Sequence, residues 1–309
     1  MDYKEFEQLL ITLPCVIQEN GEEFALSMVA KVFNNLTIDR NKLTKNEDLA
    51  EMNVFRNKYL PRILQSEFPY SVFTKPRGYP GDYLTQEMIW RSKTGKYEDK
   101  YRGNSETGKC FNAMTLLMDN CKANLERYNI ISSYLHSKYE SIASIGCGSG
   151  IEYWDCNYKN INSLFFLDQD DLALNSVKNN IFPQNKSKNI IFHKCNILRF
   201  VLSEKNLETM GARDLIYSLG LFDYFDINSS MKIICKLWKF VKKGGTLLIS
   251  NAHPDNPTKL WMEWGGDWFL TYKSKDEMHQ LYRDLKDIQS VNLTTDSQGV
   301  YQYLEIIKS

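Results

Sequence analysis

The sequence predicts an α/β protein in which a doubly wound sheet with a C-terminal antiparallel hairpin follows a helical N-terminal part. Three observations predict it. From residue 141 onward, short apolar β-type runs alternate with helical stretches, the grammar of a parallel sheet covered by helices. The first of these runs enters a glycine turn, Gly146-Cys147-Gly148-Ser149-Gly150, and the second ends at Asp168. Before residue 139 there is no such alternation, and apolar residues recur at helical spacing instead.

The elements follow in order. Ala25, Met28, Val29, Val32 and Phe33 make one apolar helical face, and Asn34, Asn35 and the polar stretch 39–42 are expected to end it. Helices are expected at 46–60, stopping before Pro61, at 84–90, and at 111–136, ending near Lys138. Segment 75–83, Lys-Pro-Arg-Gly-Tyr-Pro-Gly-Asp-Tyr, is turn-rich, with two prolines and two glycines. Strands are expected at 141–145, 163–167, 189–193, 214–218 and 246–250, with helices at 172–180 and 230–241. The tail reads as a hairpin, 288–293 and 300–307, turning at Asp296-Ser297-Gln298-Gly299. The expected organisation is a helical domain over 1–138 and an α/β domain over 139–309.

Composition narrows the function. The chain of 309 residues carries 38 Lys+Arg against 38 Asp+Glu, and this neutrality argues against nucleic-acid binding through a broad basic surface. Hydrophobic residues at 43% and charged residues at 25% are those of a chain with a sizeable core. No apolar run approaches the ~20 residues that span a bilayer, so no membrane partner is expected. The start, Met1-Asp2-Tyr3-Lys4-Glu5, lacks a signal-type apolar stretch. Seven scattered cysteines without a CxxC pair read as reduced thiols of a cytoplasmic protein. His136, His193, His253 and His279 show no ligand spacing, so no metal is expected. The expected partner is a small-molecule substrate. Whether the first 70 residues cover a pocket or make a homodimer stays open.

The glycine turn is the first site signal. Glycines let backbone approach a ligand closely, and the spacing is GxGxG, not the GxGxxG that seats a pyrophosphate. That suits a nucleoside. Asp168, 22 residues after Gly146 and at the end of the next strand, can accept both ribose hydroxyls. Asp170 is expected to cap the following helix. The same glycines also suit a plain βα turn.

Two further segments leave the expected ligand edge of the sheet. After the fourth strand comes Ser218-Leu219-Gly220-Leu221-Phe222-Asp223-Tyr224, in which Phe222 and Tyr224 are either pocket or core aromatics. After the fifth come Asn251 and His253, then Trp261, Trp264, Trp268 and Tyr272. Three of the six tryptophans fall here, as a core cluster or as a hydrophobic acceptor pocket. Ser274 and Glu277 form a capping box.

The glycine turn with Asp168 resembles the class I S-adenosylmethionine (SAM) methyltransferases over 139–309, which implies their Rossmann-like sheet. It implies SAM as cofactor, with S-adenosylhomocysteine (SAH) as product. The implied donor site is Gly146, Cys147, Gly148, Asp168, Gln169, Ile197, Ser218 and Leu219. That family carries an acid two residues before the first glycine, where this chain has Ser144, and Glu152 is the substitute. Asn196 matches the family's polar contact to adenine, and is otherwise a loop residue. The Asn/Asp-Pro-Pro-aromatic motif of base methyltransferases does not occur after the fourth strand.

Segment 75–83, Ile145-Gly146-Cys147-Gly148 with Glu152, the run 217–224, and Asn256-Pro257 followed by Met262-Glu263-Trp264 and Asp267-Trp268 narrow the likeness. Together they resemble the bacterial methyltransferases of 3-hydroxypalmitic acid methyl ester biosynthesis, over residues 70–309. This implies O-methylation of a carboxylic acid in bacterial secondary metabolism. It makes 75–83 a lid in which Arg77 pairs with a carboxylate and Tyr79 and Tyr83 close over the ligand, as against a rigid turn. Acceptor contacts are then Tyr83, Phe222, Tyr224, Trp261, Trp264, Trp268 and Tyr272. Asn251 would orient a carboxylate acceptor. His253, in a place where that family is expected to hold a smaller residue, would serve as base for a hydroxyl or amine acceptor instead. A non-catalytic SAM-binding regulatory module is the alternative of another class.

Overall fold

The computed structural model describes residues 1–154, 160–181 and 189–309. Contacts divide the chain into two compact units. One is Met1–Leu125 with Pro257–Phe269, and the other is Glu126–Asn256 with Leu270–Ser309. By contact, therefore, the division falls inside the last N-terminal helix, and a short piece after the fifth strand joins the helical unit. Among the described residues no helix is long and apolar enough to cross a membrane.

The helical unit contains α1 (Lys4–Arg40), α2 (Lys45–Ile63), α3 (Glu67–Thr74), α4 (Tyr83–Ser92), α5 (Tyr97–Lys100) and α6 (Glu106–Leu116). α1 bends at Gly21, whose φ of 85° is cheap only for glycine. The helix does not end at Asn34: Leu36 continues the spacing of Val32 and Phe33 and is buried like them. α2 opens on a capping box between Thr44 and Glu47 and runs past the expected stop at Pro61, because Met52, Phe55, Tyr59 and Ile63 form one buried stripe.

The core of this unit gathers Phe6, Phe33, Phe55 and Phe111 with Trp261 and Trp264. Trp261 meets Phe33 and Phe111 edge-on, each at 5.4 Å between ring centres. Residues Trp261–Gly265 form a π-helical turn. Its exit is pinned by Arg56, which donates to the carbonyls of Glu263 (2.7 Å) and Trp264 (2.9 Å) and to Asp267 (2.8 Å).

The expected single helix 111–136 is broken into α6 and α7 (Asp119–Leu135). At the break, the Met118 amide bonds to Thr115 three residues back, a tightened last turn.

The second unit carries the sheet. Its strands are β1 (Ser141–Ile145), β2 (Ser163–Asp168), β3 (Asn189–Lys194), β4 (Arg213–Ser218), β5 (Val241–Ala252), β6 (Ile288–Thr295) and β7 (Tyr301–Lys308). Their order is β3-β2-β1-β4-β5-β7-β6. β1 to β5 pair in parallel, whereas β7 runs antiparallel to both β5 and β6. The connecting helices are α8 (Asp171–Ile181), α9 (Ile197–Leu202), α10 (Glu204–Met210), α11 (Ile227–Trp238) and α12 (Lys275–Gln280). Helices α9 and α10 fall in a stretch with no sequence expectation. The doubly wound sheet with its C-terminal hairpin is as expected.

Alternation along each strand separates two faces. Ala143, Ile145, Phe165, Leu167, Ile216, Leu247, Ile249, Leu304 and Ile306 enter one core with Phe200 of α9, Leu207 of α10 and Ile234 and Leu237 of α11. Burying each of the Ile, Leu and Phe side chains contributes about 1.5–3 kcal/mol. The residues between them, Ser144, Phe166 and Tyr217, face the other way, and Tyr153 packs edge-on to Phe166 at 5.1 Å. Strand order reverses between β1, followed by β2 on one side, and β4 on the other. Such a switch point opens a crevice at the carboxyl ends of the strands.

Candidate functional site

The crevice begins where β1 ends. Gly146, Gly148 and Gly150 all have positive φ, at 71°, 53° and 61°. The amides of Gly146 and Cys147 both bond to the Leu167 carbonyl, at 2.8 and 3.0 Å, so the turn is laced to the end of β2. A side-chain carbon at Gly146 would press on Leu221, at 3.2 Å from its Cδ2. One at Gly150 would press on Ile181 and Val177 of α8, at 3.2 and 3.3 Å. The glycines therefore serve both backbone conformation and close packing.

Asp168 stands beside this turn. Its Oδ2 accepts the Gly148 amide at 2.9 Å and its Oδ1 accepts the Asp170 amide at 2.9 Å. Burial pushes its carboxyl above the ordinary range, and the two amides oppose that shift. The arrangement fixes the carboxylate beside the glycine turn, and the Gln169 amide also acts on it. Asp170 accepts the Leu172 amide at 2.9 Å and starts α8, as the sequence predicts. Cys147 is buried, and burial raises its thiol well above the ordinary value, so it stays protonated.

Asn196 and Gln169 meet: the Asn196 amide nitrogen donates to Gln169 Oε1 at 3.1 Å. Asn196 Oδ1 also accepts the Leu198 amide at 3.0 Å and caps α9, and both side chains are exposed. Ile197 is buried in the sheet core. Ser218 is fully buried, and its hydroxyl donates to the Ile145 carbonyl at 2.8 Å, tying β4 to β1 at the switch point. Leu219 is half-buried.

Glu152 lies in the 3-10 turn Ile151–Tyr153 after the last glycine and receives the Tyr217 hydroxyl. Burial raises its carboxyl, against the opposing pull of Tyr217 and Arg127.

The loop after β4 is clasped to β5. The Gly220 amide donates to Ser250 Oγ at 2.9 Å. Asp223 Oδ1 accepts the Ala252 amide at 2.7 Å, and the Asp223 carbonyl accepts the Thr271 amide at 2.6 Å. Lys273 is buried beneath, its ammonium donating to the carbonyls of Phe222 (3.0 Å) and Phe225 (2.8 Å) and to Asn251 Oδ1 (2.7 Å). Burial raises Asp223 to about 6 and lowers Lys273 to about 8. Sequence reading overlooked Asp223, Lys273 and Tyr217. Asp223 and Tyr217 lie in the run 217–224 that carries the narrower likeness but drew no role there, and for Lys273, next to the capping box, spacing does not distinguish a buried charge from a solvated one.

Several expected acceptor residues take other roles. Phe222 is a core residue of the sheet unit, because it sits under the clasp. Tyr224, its neighbour but one, is exposed at 38%. Asn251 is fully buried with its amide spent: its nitrogen donates to Ala252 and Thr271 carbonyls (3.1 and 2.9 Å), and its oxygen accepts from Lys273. It orients the clasp and has no contact to offer a reactant. His253 Nδ1 accepts the Asp255 amide at 3.1 Å, so the neutral ring carries its proton on Nε2 and has no second lone pair to act as a base. Tyr272 is half-buried in the same unit.

Trp261 and Trp264 are core residues of the helical unit, the packing alternative, because segment 257–269 folds into that unit. Trp268 is buried in the same unit, with its ring 2.3 Å from the place a Gly81 side-chain carbon would occupy. Arg77, Tyr79 and Tyr83 are half-buried in it too. Segment 75–83 is anchored by Lys75, which pairs with Asp267, and by Trp268 lying on Gly81.

No protein-family model matches the sequence, and no curated protein does. Solved structures do. A possible exported protein from Bordetella parapertussis is similar at TM-score 0.54 and 17% identity, over 87% of this chain and 98% of that one. Magnesium protoporphyrin IX methyltransferase from Synechocystis PCC 6803, with bound SAH, has TM-score 0.49 and 11% identity over 73% and 99% of the two chains. An O-methyltransferase family protein from Burkholderia thailandensis has TM-score 0.47 and 17% identity over 64% and 60%. The likeness to the Bordetella protein is one of fold.

Proposed function

We propose that the chain is a SAM-dependent methyltransferase acting on a small molecule, with a carboxylic acid as acceptor and a methyl ester as product. The observation that carries the first part is Asp168. It is a buried carboxylate at the end of β2, fixed by the Gly148 and Asp170 amides beside a GxGxG turn at the switch point of the sheet. A nucleoside fits that donor set: Asp168 would take the ribose hydroxyls, the positive-φ glycines would let the backbone close on it, and Asn196 with Gln169 would meet the base. SAM supplies a methyl group on a sulfonium, which transfers in line while the bonding pair stays on sulfur and leaves a neutral thioether.

What the chain must supply is alignment and exclusion of water. Orientation of that kind contributes ~7–11 kcal/mol to such reactions. A carboxylate is ionised at neutral pH and needs no base to attack through oxygen. The hydrogen-bonding state of His253 is consistent with that acceptor. The motif resemblance to the 3-hydroxypalmitate methyl ester enzymes supports the same reading.

The test is calorimetry with SAM, followed by product analysis with a panel of acids, alcohols and amines. SAM binding with an alkali-labile methyl product supports the proposal. An alkali-stable product rejects the carboxyl acceptor, and absence of SAM binding rejects the whole reading. SAM binding without turnover on the panel would favour a regulatory module.

A further inference from the structure

The loop after β4, residues 219–225, is held from two sides. On one side it meets the glycine turn. A side-chain carbon placed on Gly146 would lie 3.2, 3.3 and 3.5 Å from three carbons of Leu221, so Leu221 stands directly on the first glycine. Ser218, just before the loop, donates to the carbonyl of Ile145, just before that glycine.

On the other side the loop meets one buried ammonium. Lys273 Nζ lies 3.0 Å from the Phe222 carbonyl, 2.8 Å from the Phe225 carbonyl and 2.7 Å from Asn251 Oδ1. An ammonium has three protons, and three oxygens take them. Phe222 opens the 3-10 turn Phe222–Tyr224 and Phe225 follows it, so one cation ties both ends of the turn to Asn251, the penultimate residue of β5. An apolar side chain of that length would fill the space without the cost of burying a charge. It could not gather three oxygens into one arrangement. Leu221 directly precedes this turn, and its place on Gly146 follows from where the turn is held.

We infer that Lys273 is a positioning residue for the crevice: by holding the turn after β4 on β5, it sets Leu221 against the glycine turn and fixes that wall of the donor site. The inference rests on the reading of the crevice as a methyl-donor site. Lys273 acts through the loop, since its protons are already committed within the fold.

The experiment uses two readouts on the full chain. Hydrogen exchange follows the amides of Gly220, Ala252 and Thr271, which close the loop on Ser250 Oγ, Asp223 Oδ1 and the Asp223 carbonyl. Calorimetry follows the affinity for SAH. Lys273→Met keeps the length of the side chain and removes its three donors. It is expected to speed exchange at those three amides about 10-fold more than at the amides of β2. It is also expected to weaken SAH about 10-fold, because apparent affinity falls with the fraction of chains whose loop is in place. Ile234→Ala, in the core on the other face of the sheet, measures what lost stability alone does, and is expected to leave SAH within about 2-fold. Ser250→Ala removes only the acceptor of the Gly220 amide. It should show both effects in smaller measure, and covers the case in which Lys273→Met folds poorly. Equal weakening of SAH by Lys273→Met and Ile234→Ala would mean a merely structural role and overturn the inference. Unchanged SAH affinity in Lys273→Met would overturn it too, while leaving the methyltransferase reading intact. Wild-type chain that binds no SAH removes that reading, and the inference with it.

Discussion

Asp223 offers a test of the clasp that needs neither donor nor acceptor. Its carboxyl is 3% exposed, accepts the Ala252 amide, and is raised by burial from 3.8 to about 6, with Arg127 and Lys273 opposing the shift. A raised carboxyl binds its proton more tightly in the folded chain than in the unfolded one. Its stabilising effect is therefore full below pH 3.8 and is lost as pH rises through about 6. Moving a carboxyl over that interval corresponds to about 3 kcal/mol. Asp223→Asn keeps an oxygen for the Ala252 amide and removes the titration. Urea unfolding of both proteins from pH 4 to pH 7 isolates the effect, because the other raised carboxyls, Glu152, Asp168 and Asp296, are common to both. The variant is expected to gain about 2 kcal/mol relative to wild type between pH 4 and pH 7, the part of that interval's effect that falls in this window. A difference that does not change with pH refutes the reasoning, since it would mean that Asp223 titrates alike in the folded and unfolded chain.

Three other predictions follow from the same structure. Asp168→Ala should weaken SAH at least ~100-fold by calorimetry, since two hydrogen bonds to a charged acceptor are worth ~1.5–3 kcal/mol each. Asp168→Asn should be nearly as damaging, because its NH2 would face one of the two amides that the carboxylate now accepts. Gly220→Ala should cost about 1–3 kcal/mol in urea unfolding, since Gly220 has φ of 92° and its new carbon would lie 2.7 Å from Arg127 Nη1. Trp261→Ala should cost about 3–5 kcal/mol of stability, the price of a large core ring, and a loss under 1 kcal/mol would return Trp261 to a pocket role.

Much of the fold was legible in the sequence because it is written in local patterns. β1 falls on its expected residues, 141–145, and β2 and β3 extend theirs by one residue, because buried strands are short apolar runs between polar turns. The Ser274–Glu277 capping box and the Asp170 cap appear as expected, since a cap is a contact over two or three residues. Where the reading failed, a longer-range term overrode the local one. Asn34 did not end α1 because Leu36 had a core to enter, and Pro61 did not end α2 because Ile63 did.

The site divides along the same line. The glycine turn and Asp168 were recognisable because a residue type with free φ at one strand end and an acid at the next are local features of the sequence. The clasp was not, because Lys273, Asp223 and Asn251 look like surface polar residues until folding brings them together and strips their water.

By itself the sequence determined the strand-and-helix order, the glycine turn, the acid opposite it and the neutral charge that favours a small ligand. Only the tertiary structure decided that Trp261 and Trp264 pack in the helical unit, that Asn251 and His253 have their polar atoms engaged, and that Tyr217 holds Glu152. Periodicity reports which residues prefer to be buried. Which neighbours they are buried against, and whether a polar atom there is already paired, depends on contacts between residues tens to hundreds of positions apart.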